Sequence, residues 1–193
     1  HGVEFTASSF DRLEISNPPT DFTDEITVEA WINFNSSTSN DELWMTQAML
    51  NSDIMTTNVW LWGPSGSEFQ WYVNDNGAWR VVTSTSVGSL DGWHHIATTA
   101  DANGVNIYVD GVLDATNATG ISTGIQSSPN ATMHIGNDVR YPNDANRHGD
   151  FGVSEVRIWD VNKTQGEIAA SMSACLNGNE PGLVYFNKIN DNM

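Results

Sequence analysis

Basic residues are scarce. Seven Lys and Arg stand against 24 Asp and Glu in 193 residues, a formal net charge of −17. Nucleic acid and anionic membranes both need a basic surface that displaces counterions, so this charge argues against either as a partner. The acidic excess also creates self-repulsion that bound cations would relieve, although the same charge can simply keep a secreted protein soluble. Cysteine is almost absent, with Cys175 standing alone. One thiol makes no intramolecular disulfide and no thiolate metal site, and it reads as a buried structural residue. No apolar run of membrane-spanning length and no signal peptide occur, so direct membrane insertion is not expected. His1 runs at once into a strand-like segment, as expected of a fragment cut from a longer, secreted or surface-borne chain.

Helical periodicity is nearly missing too. With 39% hydrophobic and 10% aromatic residues the chain still has enough to bury one sizeable core, and its length predicts a single domain over 1–193. Short alternating runs are divided by Gly, Asn, Asp, Ser and Pro, the pattern of an antiparallel sandwich. In Ile26-Thr27-Val28-Glu29-Ala30-Trp31-Ile32-Asn33-Phe34 every even position is apolar, so one face is core while Glu29 and Asn33 point away. Val105, Ile107 and Val109 repeat this. Further strands are predicted over 43–50, 58–63, 67–74, 78–83, 93–100, 131–136, 151–159 and 182–187. Asn76-Gly77, Asn103-Gly104 and Asp110-Gly111 supply turns. Thr164 and Glu167 fit a capping box opening a short helix at 164–172. The stretches 35–41 and 115–132 read as loops.

In that order the segments resemble a laminin-G-like or pentraxin-like module of the concanavalin A-like lectin/glucanase type. Ile26–Ile32 looks like its early core strand. Trp93-His94-His95-Ile96-Ala97 followed by Tyr108-Val109-Asp110-Gly111 looks like its central hairpin. Ile135-Gly136 resembles the strand end that opens a long loop, and Phe151–Trp159 with Thr164–Ile168 resembles the final strand and helix. The resemblance implies an all-β jelly-roll sandwich of two antiparallel sheets with one short helix. The same sandwich serves lectins, protein-binding modules and accessory domains of polysaccharide-degrading enzymes, so function has to come from a site.

Catalytic signatures are lacking. No acidic residue has another two positions away, the cheap spacing for two carboxylates on one strand face. His94 and His95 are adjacent on a strand and point to opposite faces, a poor zinc pair. No nucleophile-elbow, P-loop or dinucleotide motif occurs. The chain is therefore expected not to be an enzyme.

The long 137–150 connection is the informative segment, since such loops in compact domains are commonly functional. It holds Asn137, Asp138, Asn143, Asp144, Tyr141, His148 and two of the chain's five arginines, Arg140 and Arg147. Those arginines either contact a ligand or pair with the loop's own carboxylates. Calcium takes six to eight hard oxygens. The pentraxin resemblance implies a calcium held between this loop and the segment 51–58, with the ligand's oxygens completing the shell. The acidic cluster is sparser than that family's, which points to one ion on Asp53 or Asn58 with Asn137, Asp138 and Asp144. Vicinal sugar hydroxyls suit such an ion while an aromatic face packs on the ring. Arg140, Tyr141, Asn143, Arg147 and Trp60 are the expected ligand contacts. Composition and resemblance together suggest the ligand-binding domain of a large bacterial adhesin of the repeats-in-toxin type, binding glycans on a host or neighbouring cell. The rivals are a protein- or peptide-binding module, a module stapled by structural calcium, and an accessory domain of a polysaccharide-degrading enzyme.

Overall fold

The structure is a computed structural model, and it describes residues 2–6, 9–34, 45–49, 59–65, 68–86, 90–144 and 147–189. The strands are β1 (Val3–Phe5), β2 (Leu13–Ile15), β3 (Ile26–Phe34), β4 (Met45–Ala48), β5 (Trp60–Ser65), β6 (Glu68–Asp75) and β7 (Ala78–Thr83). They continue with β8 (Gly92–Asp101), β9 (Gly104–Val109), β10 (Val112–Asn117), β11 (Thr132–Ile135), β12 (Phe151–Trp159) and β13 (Leu183–Asn187). One helix, α1 (Gln165–Ser171), lies before β13.

Two antiparallel sheets face each other. One runs β1-β12-β3-β8-β9-β10 and the other β2-β11-β4-β5-β6-β7. β1 pairs with Phe151–Val153 and β13 with Val156–Trp159, so the first and last strands share one edge of β12. The even residues of β3 point inward as the alternation predicts. Ile26, Val28, Ala30 and Ile32 join Val105 and Ile107 of β9 in one cluster with Trp60, Trp62, Trp71, Val73, Met133 and Ile135 of the facing sheet. Burying an indole stabilises by roughly 4–6 kcal/mol at ~25 cal/mol per Å2, so this aromatic layer carries much of the second sheet's cohesion.

Two strands escape the sequence pattern. β2 is only three residues long, and β10 exposes Val112 and Leu113 at a sheet edge with a register shift between Leu113 and Ala115. β2 alternates but is too short to stand out, and β10 shows no clean alternation. Cys175, expected to be buried, is exposed.

The outer face of the seven-stranded sheet is half covered. Glu29 points away from the core as expected, yet it is fully buried there with Arg157 and His95. Ile168 of α1 packs on Ala97 and Tyr108 of that face. Glu29 accepts from Trp159 Nε1 at 2.8 Å, and Arg157 donates to the Ser171 and Ala174 carbonyls at 2.7 and 3.2 Å. Thr164 and Glu167 form the predicted capping box, which starts the helix over this polar patch.

Candidate functional site

The 136–150 connection leaves β11 at Ile135 and enters β12 at Phe151, crossing from one sheet to the other at an end of the sandwich. Gly136 sits at φ 103°, and a Cβ there would come within 2.6 Å of the Phe5 ring and 2.7 Å of the Asp11 carbonyl. The Ile-Gly pair thus marks a close backbone approach that only glycine permits.

The loop is braced from within. Asp138 N–H donates to the Arg147 carbonyl at 3.0 Å, Tyr141 N–H to the Asp138 carbonyl at 3.0 Å, and Gly149 N–H to the Gly136 carbonyl at 2.9 Å. Thr46 of β4 pins it, donating its hydroxyl to the Asn137 carbonyl at 3.3 Å and accepting from Val139 N–H at 2.9 Å. Under the loop lies the fully buried Asp138. Arg140 clamps it through Nε at 2.9 and 3.2 Å and through a terminal nitrogen at 2.7 Å, and Arg147 stands 3.7 Å away. Both guanidinium groups lie over the Tyr141 ring, at 5.5 and 5.0 Å from its centroid. This is a cation–π arrangement at a half-exposed tyrosine.

Of the residues expected to form the site, the fold brings Asp138, Arg140, Tyr141 and Arg147 together, and Asn143 and Asp144 follow on the exposed part of the same loop. Asn137 is buried, its Oδ1 accepting from His134 Nδ1 at 2.8 Å, and burial holds the His134 ring below the usual histidine range. Trp60 is a correction. It is fully buried and donates Nε1 to Gln47 at 2.7 Å, so its ring is core and offers no face to a ligand.

Asp53 and Asn58 lie outside the described residues.

Two of the oxygen donors expected for calcium, Asn137 and Asp138, are already engaged by protein partners. Both Asp138 oxygens are committed to arginine, the Asn137 side-chain oxygen is committed to His134, and nearby guanidinium charge opposes a cation. Among the described residues there is no group of three or more His, Cys, Asp and Glu able to hold a metal ion.

Two aromatics that the sequence reading did not single out keep surface outside the core: Trp31, half-buried, and Trp93, 40% exposed. The available signal was parity, since Trp31 falls among the odd positions of β3 with Glu29 and Asn33.

The sequence matches a laminin-G family model described as the concanavalin A-like lectin/glucanases superfamily, over residues 7–169. The chain belongs to this family. No curated protein matches it in sequence. Among solved structures it is similar to a candidate carbohydrate-binding protein from Bacteroides ovatus, with TM-score 0.64 and 19% identity, over 96% of this chain and 50% of that one. It is also similar to the botulinum neurotoxin serotype C1 binding domain, with TM-score 0.58 and 17% identity over 81% and 38%. A third is the botulinum neurotoxin DC binding domain in complex with SialylT, with TM-score 0.57 and 16% identity over 81% and 37%. At these identities the likeness is one of fold, and the chain spans half or less of each of these proteins. No helix among the described residues is long and apolar enough to cross a membrane.

Proposed function

We propose that this laminin-G-type domain is a carbohydrate-binding module of a secreted or cell-surface bacterial protein, binding glycans to mediate adhesion rather than catalysing a reaction. The observation that carries this is the rigid polar loop at one end of the sandwich, where buried Asp138 orders Arg140 and Arg147 around Tyr141. A loop fixed in advance loses little conformational entropy on binding, and guanidinium, phenol and the exposed Asn143 amide offer hydrogen bonds matched to sugar hydroxyls. The similar structures include a candidate carbohydrate-binding protein and a toxin domain with SialylT, which supports a glycan as the kind of partner. A related toxin domain in complex with rat synaptotagmin II keeps a protein ligand as the rival reading.

Calcium dependence, expected from the sequence, enters as part of the test. An array of glycans is probed with the wild type and with Arg147→Ala, in calcium and in chelator. Binding that survives chelation and falls at least tenfold in Arg147→Ala supports the loop as written. Binding lost on chelation restores an ion to the recognition step. A blank array in both conditions, with a peptide or protein captured instead, overturns the carbohydrate reading.

A further inference from the structure

We propose that the cleft between Trp31 and Trp93, on the open half of the seven-stranded sheet's outer face, is a second sugar site that takes an uncharged hexopyranose chain. The inference rests on the carbohydrate-binding reading but uses none of the 136–150 loop. A cleft of about 270 Å3 is lined there by Gly2, Trp31, Trp93, Ser154 and Glu155. That is close to the small end of ligand pockets, room for a ring or two of a chain that continues into solvent.

Both indoles have protein contacts before any ligand arrives. Trp31 donates Nε1 to the Met172 carbonyl at the end of α1, at 3.1 Å, and its ring meets His95 edge-on at 5.5 Å. Trp93 lies against the backbone of Gly2, where a Cβ would come within 2.4 Å of the ring. Side chain at residue 2 would therefore push the exposed indole aside. Fixed aromatic surface that remains exposed suits the apolar C–H face of a sugar ring, because little order has to be gained on binding.

The cleft's acidic wall is equally built. Glu155 sits at φ 53°, an uncommon conformation for a residue with a side chain, within the register shift between Ser154 and Arg157 where β12 bulges against β3. Bulges and left-handed non-glycine residues concentrate where a side chain is re-aimed toward a ligand. Buried Arg157 pins the Glu155 carboxylate at 2.5 Å, and the side chain keeps 35% exposure. One register along, Glu4 accepts from Asn33 at 3.1 Å, adding a second carboxylate to this surface. Acceptor-only carboxylates welcome sugar hydroxyl donors and repel uronates, sialic acid and sulfates. In a chain of net charge −17 that selects uncharged glycans.

The test is calorimetric titration of the full chain with maltohexaose, cellohexaose and mannohexaose, and with oligogalacturonate as the acidic control. The wild type is expected to bind at least one uncharged hexamer. Trp93→Ala should weaken that binding at least tenfold with unchanged circular dichroism, and Trp93→Phe should retain most of it. If Trp93→Ala binds as the wild type does, or if only the acidic probe binds, this site is overturned while the carbohydrate reading stands. If no probe binds and a glycan array is blank, both fall together.

Discussion

Asp138→Asn tests the loop's construction directly. The wild-type carboxylate is fully buried, accepts three contacts from the Arg140 guanidinium and one from its backbone N–H, and lies 3.7 Å from Arg147. Removing one partner of a buried pair costs about 3–5 kcal/mol because the other charge is stranded. Here the arginine side chains are 12% and 29% exposed, so water recovers part of that, and about 3 kcal/mol is the working figure. With a urea m-value of about 3 kcal/mol per M for a chain of this size, the midpoint should fall by about 1 M. Adding Arg140→Gln should return part of the loss, since two neutral groups replace one orphaned cation. A calcium-ligand role predicts a different outcome: calcium would raise wild-type stability by linkage, and Asp138→Asn would abolish the rise. A midpoint shift below about 0.2 M, or a calcium-dependent stabilisation that vanishes in the variant, refutes the arginine-clamp reasoning.

Two further outcomes follow from the covered half of the outer face. Burial pushes the Glu29 carboxyl up, but His95, Arg157 and Lys163 outweigh it and hold it below its usual value of 4.5. A lowered folded-state value means this stabilisation is complete above about pH 4.5 and is lost as pH falls through the folded value. Wild-type melting temperature should therefore drop with acid more steeply than that of Glu29→Gln, and parallel acid limbs would contradict the assignment. Thr164→Ala removes the capping box and should cost about 1 kcal/mol, read as a melting-point loss of about 2–4 °C. An unchanged melting point would mean the helix is held by its packing on Ala97 and Tyr108 alone.

Much of the scaffold was legible because its signals are local. The even positions of β3, the Asn-Gly turns and the Thr164–Glu167 box each follow from a few neighbouring residues, and the structure has them as predicted. β10 was hidden because an edge strand with Val112 and Leu113 outward carries no inside-outside contrast. Trp60 and Trp62 illustrate another gap. Parity placed them on one face of β5, but in Val59-Trp60-Leu61-Trp62 both faces are apolar, so nothing local says which face is core. Asp138 shows why the site was harder. An aspartate two residues from an arginine reads equally as a metal ligand or as half of an ion pair, and the burial of Asp138 with both oxygens on Arg140 is visible only in the fold. The Trp31–Trp93 cleft depends on two residues 62 positions apart and on a bulge at Glu155, neither of which a short window contains.

The shared edge of β12 has a topological consequence. β13 runs from the Trp159 level toward Val156, and β1 begins at Val153, so the two strands point the same way and lie nearly end to end. Ser154 hydroxyl already bridges to the Lys188 and Ile189 carbonyls across that seam. A short Gly/Ser tether from 189 to 2 would fuse them into one discontinuous rim strand, and new ends could be opened at the exposed Asn76-Gly77 turn without cutting a ladder. Such a permutant offers a covalent handle far from the seam where the aromatic cleft lies.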